Sequence, residues 1–175
     1  VDNVEIDLSH VKPIIKWVGG KGQIIDKIYD KFPQNIHHYY EPFLGGGAVF
    51  FELLKRLESK QIKLTGNIYI NDINNDLMNL YTLVKNDVEL LVLNLKNLAD
   101  NYNKSPVINY PSRHKFSIDL NEPISNVVLK GKQYLYYFYR EKYNAQTTNI
   151  QEKTALFVFL NKTGFRGLYR FSNNR

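Results

Sequence analysis

The apolar positions near the N-terminus predict a short amphipathic helix. Three isoleucines within residues 20–31 recur near helical spacing and alternate with polar residues. The step from Phe32 to Pro33 ends this pattern, because a residue that precedes proline disfavours the helical backbone.

Two β-rich runs and two further helices follow. Residues 37–41 (HHYYE) predict an aromatic strand, and residues 67–72 (NIYIND) predict a strand that ends in an acid. Between them, glycines at 45–47 predict a tight turn and residues 48–57 predict a helix with a largely apolar face. Another helix is predicted over 74–84. This order of elements is the opening of a doubly wound α/β sheet.

The remainder of the chain is predicted to be mostly helical. Helical patterns occupy residues 88–98, 133–143 and 151–159. Residues 101–129 are rich in Asn, Ser and Pro without a sustained period, which predicts a long surface connection or an irregular subdomain. Residues 160–171 alternate apolar and basic positions around two glycines, which is typical of a hairpin or structured loop.

Length and composition indicate a globular protein with a real core. The 175 residues are 43% hydrophobic, and no apolar run approaches the roughly 20 residues of a membrane helix. The start at Val1 has neither a basic cluster nor an apolar core of a signal peptide. The absence of Cys excludes a disulfide framework and a thiolate metal site, and no metal is expected. These features are compatible with a cytoplasmic protein that has no membrane partner.

The net charge of +6 is unevenly distributed. Residues 1–103 hold 11 Lys or Arg against 13 Asp or Glu, whereas residues 104–175 hold 12 against 4. A basic second part could neutralise the phosphates of a nucleic acid. A basic solvated face without a partner explains the charge equally well.

A glycine turn between an acid-bearing strand and a helix predicts a ligand site. In open α/β sheets, ligands bind beyond the carboxyl ends of the strands, where Glu41 and Asp72 are predicted to lie. A dinucleotide fingerprint would use Gly45 and Gly47 but needs a third glycine where Phe50 stands, so a nicotinamide-dependent oxidoreductase is a weaker alternative. Two structural alternatives stay open: the turn is simply a tight βα loop, and Asp72 simply caps the next helix.

Four motifs in order resemble those of one enzyme family. They are KWVGGK at 16–21, EPFLGGGA at 41–48, NDIN at 71–74 and LNKTGFRGLYR at 160–170. Together they resemble the Dam-like (D12-class) DNA adenine-N6 methyltransferases. The resemblance implies an α/β fold: a Rossmann-like S-adenosylmethionine-dependent methyltransferase sheet with an inserted, mostly helical target-recognition domain, and with the C-terminal part of the catalytic domain missing.

The resemblance also implies a division of roles along the chain. Residues 1–85 would be the cofactor-binding part of the methyltransferase domain. Residues 86–175 would be the target-recognition domain, ending in a β-hairpin.

The resemblance implies S-adenosylmethionine as the cofactor and assigns its surroundings. The residues implied are Trp17 and Lys21 on its methionine and nucleoside side, Glu41, Pro42, Phe43 and Gly45 around its amino-acid portion, Asp72 at the ribose hydroxyls and Ile73 beside the adenine. Each has a local alternative: Trp17 could be a core anchor, and Lys21 a solvated residue at a helix start.

The resemblance makes double-stranded DNA the partner and places the hairpin candidate in it. An adenine must be flipped out of the duplex before its amine can react, and apolar wedges beside cations suit that task. The candidates are the cations Lys162, Arg166 and Arg170 and the wedges Phe165, Leu168 and Tyr169. Many relatives have Asn where Arg166 stands, which puts the contact of that residue in doubt. In residues 130–143, Tyr134, Leu135 and Phe138 would form a core stripe, whereas the basic residues could meet phosphates.

The family's catalytic Asp-Pro-Pro-Tyr motif is absent, since no two of the six prolines are adjacent. Three interpretations are open: a piece of a longer enzyme, half of a split enzyme whose second polypeptide supplies the motif, or a non-catalytic remnant. The first two are favoured, and under them the isolated chain would not be expected to methylate DNA alone. The alternative function is a basic nucleic-acid-binding module without a cofactor.

Overall fold

The chain divides between Met78 and Asn79 into two units with different secondary structure. The computed structural model describes residues 7–8, 10–111, 114–145 and 148–164. The division falls inside a helix, whereas the predicted change of role comes after residue 85. Within the described ranges, no helix has the length and hydrophobicity needed to cross a bilayer.

The first unit combines parallel strands with short helices. Its elements are a 3-10 helix Lys21–Ile24, α1 Ile25–Tyr29, β1 Asn35–Ile36, β2 Tyr39–Glu41, α2 Ala48–Glu58, β3 Lys63–Leu64 and β4 Ile68–Ile70, and α3 Asn75–Asn86 runs across the division in the sequence. The predicted order of helix, strand, turn, helix, strand and helix is confirmed. The predicted strands over 37–41 and 67–72 correspond to β2 and β4, whereas β1 and β3 lie before these ranges and were not predicted.

The register of strand pairing shifts by one residue between the pair β1–β3 and the pair β2–β4. Both pairs are parallel: Asn35 pairs with Lys63 in β1 and β3, and Tyr39 pairs with Ile68 in β2 and β4. Three residues separate β3 from β4, but only two separate β1 from β2. The extra residue forms a local bulge, so the end of β2 at Glu41 comes level with the end of β4.

Gly66 makes this bulge possible. A Cβ at Gly66 would collide with the carbonyl oxygen of His37 and the ring of His38. Nδ1 of His38 accepts a 2.9 Å hydrogen bond from the backbone N–H of Asn67. The imidazole thus satisfies a backbone donor at the point where the ladder is interrupted.

One face of α2 covers the core of the first unit. Leu53 is fully buried and packs with Tyr29, Tyr39 and Ile62. Burying a leucine side chain contributes about 1.5–3 kcal/mol. The Tyr29 hydroxyl donates a 2.7 Å hydrogen bond to the carbonyl of Val49, which fixes α1 against the start of α2. The helix therefore begins at a defined place beside the glycine turn.

The second unit is helical and is built around its last helix. It contains α4 Val88–Lys104, α5 Ile124–Leu129, α6 Lys132–Asn144 and α7 Ile150–Thr163. Helix α7 packs against α4 and α6 and is buried on several sides, as a central helix should be. Side-chain oxygens of Asp87 and Asn149 cap the starts of α4 and α7.

The three helices predicted in this part of the chain are confirmed, and so is the core stripe of α6. Tyr134, Leu135 and Phe138 are 6%, 0% and 4% exposed. The prediction of irregular structure over 101–129 is wrong at both ends, because α4 continues to Lys104 and α5 occupies the last residues. The buried Ser105 hydroxyl donates to the carbonyl of Val128, a contact between distant segments that composition does not reveal.

The first residues of the predicted hairpin are helical. Leu160 to Thr163 continue α7, and Asn161 is buried within it. The Thr163 hydroxyl bonds back to the Phe159 carbonyl, and the N–H of Gly164 bonds to the Leu160 carbonyl. The prediction is wrong for these four residues, because packing of α7 overrides the short alternating pattern. Residues 165–171 lie outside the described residues.

Candidate functional site

A cavity of about 420 Å³ lies in the first unit, beyond the ends of β2 and β4. Glu41 closes β2, and Asp72 follows β4 by two residues; both line the cavity. Its volume falls within the roughly 300–1,000 Å³ of small-molecule sites. Its position matches the general rule for ligands of open α/β sheets.

The glycine turn shapes one wall of the cavity. Gly45 and Gly47 have φ angles of +53° and +75°, which L-residues with a Cβ seldom adopt. A Cβ at Gly45 would also come 3.1 Å from the indole of Trp17. The backbone N–H of Leu44 donates 2.9 Å to the carbonyl of Asn71, which ties the turn to the end of β4. The turn therefore brings backbone and indole into close contact.

The carboxylate of Asp72 is held in a fixed orientation by two backbone donors. Oδ2 accepts a 2.9 Å hydrogen bond from the N–H of Gly45, and Oδ1 accepts one of 2.9 Å from the N–H of Asn74. A carboxylate has about four acceptor positions, so each oxygen keeps a lone pair for a further donor. Asn74 caps α3 through its own side chain, which accepts from the N–H of Leu77. The cap at this helix start thus comes from Asn74, and the remaining lone pairs of Asp72 are available to a ligand.

Glu41 is a half-buried acid beside Asp72 in the cavity wall. Desolvation by burial raises the pKa of Glu41, and a 2.7 Å hydrogen bond from the Tyr39 hydroxyl to Oε2 opposes that rise. This bond leaves Oε1 for another donor. A cationic group that entered the cavity would replace the lost hydration of the carboxylate.

Six of the eight predicted cofactor residues line this cavity. They are Trp17, Lys21, Glu41, Phe43, Gly45 and Asp72. Pro42 and Ile73 are not among its lining residues; Phe43 is 82% exposed and Ile73 94% exposed. That any of them binds a cofactor stays a prediction.

The lining also includes residues that the sequence did not single out for the site. Gly19 and Gly20 contribute backbone, and Val18 and Val49 contribute apolar surface. The glycine pair between Trp17 and Lys21 was a usable signal, since Gly19 has a φ of +77°. A glycine has no functional side chain, so the place of Gly19 and Gly20 in the cavity wall emerges only from the fold.

Of the predicted DNA contacts, only Lys162 is described. It is exposed on the last turn of α7. Phe165, Arg166, Leu168, Tyr169 and Arg170 lie outside the described residues.

The fold and this cavity define an α/β protein with a small-molecule-sized site at the carboxyl ends of parallel strands. The family model for the D12 class N6 adenine-specific DNA methyltransferase matches residues 17–175. The chain belongs to this family, and the resemblance predicted from its four motifs is confirmed.

Several curated proteins are similar to the chain over nearly its whole length. The Type II methyltransferase M.MjaIII of Methanocaldococcus jannaschii is 39% identical over 167 residues, which are 91% of this chain and 48% of that protein. The DNA adenine methylase of Haemophilus influenzae is 32% identical over 166 residues, 95% of this chain and 45% of that protein. The DNA N-6-adenine-methyltransferase of Escherichia phage P1 is 29% identical, over 92% of this chain and 16% of that protein. The chain spans about half the length of the first two relatives.

Proposed function

We propose that the chain carries the S-adenosylmethionine site of an enzyme that methylates adenine N6 in double-stranded DNA. The observation that carries this proposal is the oriented Asp72 carboxylate, bonded to Gly45 in a cavity that it shares with Glu41. Membership of the D12 family and the names of the relatives support the reaction class.

The chemistry of the cavity fits this cofactor. The free lone pairs of Asp72 can accept hydrogen bonds from both ribose hydroxyls of the cofactor. Oε1 of Glu41 can accept a hydrogen bond from the ammonium group of its methionine portion. Lys21, a cation in the lining, can pair with the methionine carboxylate. When bound, S-adenosylmethionine supplies an electrophilic methyl group on a sulfonium; the two acids also favour that positive charge.

Apolar residues would hold the remaining parts of the cofactor. The Trp17 indole packs against the glycine turn and offers a flat apolar surface. Phe43 and Ile73 are highly exposed, and contact with a nucleoside would remove apolar area from water. Pro42 keeps the chain extended between Glu41 and Phe43 in this proposal.

We propose that the parallel strands belong to a larger Rossmann-like sheet with an inserted recognition domain. Parallel sheets are normally covered on both faces. Here Tyr40 and Tyr69 stack at 4.8 Å on adjacent strands and remain 64% and 47% exposed. Such an aromatic pair supports a sheet with a second covering layer. The helical second unit is the candidate recognition domain.

Base flipping would expose the adenine amine to the methyl group. Lys162 and the residues Phe165, Arg166, Leu168, Tyr169 and Arg170 are the proposed contacts to the DNA. Residues 1–175 contain no Asp-Pro-Pro-Tyr motif, so the groups that act on the adenine amine are proposed to come from further polypeptide. That polypeptide is a continuation of the chain or a second subunit.

Cofactor binding tests the first part of the proposal. Isothermal titration of the chain with S-adenosylmethionine should give saturable binding, and Asp72→Asn should weaken it roughly 10- to 100-fold, as expected for hydrogen bonds to a charged group. Asp30→Asn is the matched control, because Asp30 is exposed in the same unit and does not line the cavity. Equal affinities of all three proteins would overturn the assignment of Asp72. Binding of duplex DNA without any cofactor binding would favour the nucleic-acid-binding module.

Methyl transfer tests the second part. The intact protein, with any partner subunit, is incubated with methyl-labelled cofactor and mixed-sequence duplex DNA, and the nucleosides are separated. Label on N6-methyladenine is expected. Label on cytosine, or on protein alone, would contradict the proposed reaction.

A further inference from the structure

An open groove in the second unit combines cations with aromatic rings. Its volume is about 560 Å³, and its lining includes the cations Lys115 and Arg140, the rings of His114, Phe116 and Tyr137, and the carboxylate of Glu141. The groove lies between residues 114–118 and the exposed side of α6. It is separate in sequence from the predicted DNA hairpin.

Aromatic contacts give the groove a defined wall. The ring of Phe116 lies 5.1 Å from that of Tyr137 and 5.5 Å from that of the buried Tyr134. His114 packs against Phe116 at 4.7 Å. These rings anchor residues 114–118 to α6, although that segment has no regular secondary structure. Lys115 is therefore held at the groove by its neighbours.

Arg140 is positioned by stacking. Its guanidinium lies 4.8 Å from the centroid of the Tyr137 ring, and its side chain is 48% exposed. Stacking on an aromatic face leaves the N–H edge of a guanidinium available to an acceptor. The group is thus oriented before any ligand arrives.

The basic residues of the second unit differ in how closely a carboxylate pairs with them. Lys130 pairs with Glu122 at 2.7 Å and Lys142 with Glu152 at 2.6 Å. Arg140 reaches the neighbouring Glu141 only at 3.5 Å. Exposed pairs of this kind contribute about 0–1 kcal/mol, so an incoming anion can replace the pair.

Lys115 differs from the paired basic residues of this unit. It is exposed, and among the described residues no carboxylate lies within ion-pair distance of it. The basic residues of 130–143 that the sequence offers as possible phosphate contacts are Lys130, Lys132, Arg140 and Lys142. All four have local partners in the structure. Lys130 and Lys142 form short ion pairs and Lys132 lies over the ring of Tyr102 at 5.1 Å, whereas the ion pair of Arg140 to Glu141 is the long one at 3.5 Å.

We propose that this groove binds the phosphate backbone of duplex DNA through Lys115 and Arg140. The inference rests on the proposed function, because DNA is the polyanion that function supplies. After it leaves Glu141, Arg140 donates two hydrogen bonds to one phosphate. Lys115 forms an ion pair with a neighbouring phosphate. Contacts to phosphates position a protein without reading sequence, so the groove contributes affinity and orientation.

Salt-dependent DNA binding tests the groove. A fluorescein-labelled duplex is titrated with the full chain at several salt concentrations, and anisotropy gives the slope of log K against log salt. The variant Lys115→Gln/Arg140→Gln should reduce that slope by about 2, since each phosphate contact contributes about 1. The affinity loss should be the same for duplexes of different sequence. Arg140→Lys keeps the charge and should retain most of the slope.

The matched control is Lys96→Gln/Lys104→Gln, which removes the same charge from exposed positions of α4 outside the groove. Its slope should stay near that of the unchanged chain, and circular dichroism should show both variants folded. Equal slopes for the groove variant and the control would overturn the proposal that the groove binds DNA phosphates. They would leave the DNA methylation proposal intact. A chain that binds no duplex in any form would overturn the groove, and the methyl-transfer assay on the intact protein would then decide the proposed reaction separately. Tighter binding to duplex RNA or to anionic vesicles in competition would overturn DNA as the occupant.

Discussion

The backbone N–H of Gly45 donates a 2.9 Å hydrogen bond to Oδ2 of Asp72, across 27 residues of sequence. This bond joins the turn after one strand to the acid after the next strand. It helps to fix the orientation of the carboxylate in the cavity wall. The positive φ of Gly45 and the closeness of Trp17 explain why a glycine stands at this point. The proposed cofactor site is built around this pair.

Gly45→Ala should destabilise the first unit. Its φ of +53° would cost about 1–2 kcal/mol with a Cβ present, and the added methyl would press on Trp17. We expect a loss of about 1–3 kcal/mol in the free energy of unfolding, measured by urea denaturation. Gly22→Ala is the control, because a Cβ there meets nothing within 4 Å. Equal stability of the two variants would show that the turn tolerates a side chain.

Gly66→Ala tests the bulge between the strand pairs. The new methyl group would meet the His37 carbonyl and the His38 ring, and a backbone oxygen cannot move aside cheaply. We expect a loss of at least about 2 kcal/mol, with faster amide hydrogen exchange at Tyr39 and Asn67. A variant with unchanged stability and unchanged exchange at these amides would contradict the one-residue register shift.

Glu41→Gln should change the pH dependence of stability. Since the pKa of Glu41 is raised in the folded chain, its contribution favours folding below the ordinary carboxylate pKa and is lost as the pH rises through the raised value. At neutral pH the buried charge is unfavourable, so the glutamine variant should melt at a higher temperature than the unchanged chain. The difference should shrink in acid, and a difference that did not change with pH would contradict a raised pKa of Glu41. The same variant should bind S-adenosylmethionine more weakly, because it has lost the partner of the ammonium group.

Ile73→Ala separates binding from stability. A side chain that is 94% exposed contributes little to folding, so the melting temperature should hold. If the adenine of the cofactor packs on it, affinity should fall by about 1 kcal/mol, roughly fivefold, in isothermal titration. Val107→Ala, at a 76% exposed position in the second unit, is the control for a lost apolar group. An unchanged affinity would remove Ile73 from the site.

Leu156→Ala should destabilise the helical unit strongly. The side chain is 0% exposed on the central helix α7, and truncation of a buried leucine costs about 2–5 kcal/mol. Leu129→Ala, at a position 71% exposed, should change the free energy of unfolding by no more than about 0.5 kcal/mol. Chemical denaturation followed by circular dichroism measures both. Similar losses for the two variants would contradict the central place of α7.

Much of the local structure was predictable because it depends on neighbours in the sequence. The apolar spacing of α2, the proline after Phe32 and the glycines at 45–47 act over a few residues, and the helix, the helix end and the turn that they predict are present. The family was recognisable from four motifs because their residues and order are specific. The same motifs assigned eight residues to the cofactor, and six of these eight line one cavity in the structure.

Other features were decided only by contacts between distant segments. Gly66 sets the strand register by its closeness to His37 and His38, and no pattern within residues 67–72 reveals that shift. Leu160 to Thr163 remain helical because α7 is packed on several sides, although their own alternation favours a hairpin.

The sequence by itself determined which residue types stand at the strand ends, and how strongly basic the second part of the chain is. Only the tertiary structure decided that Gly45 bonds to Asp72, that Lys130 and Lys142 form short ion pairs, and that Arg140 lies over the ring of Tyr137. The physical reason is that hydrogen bonds, ion pairs and ring stacking depend on distances of a few ångströms. Folding sets those distances between residues that the linear order keeps apart.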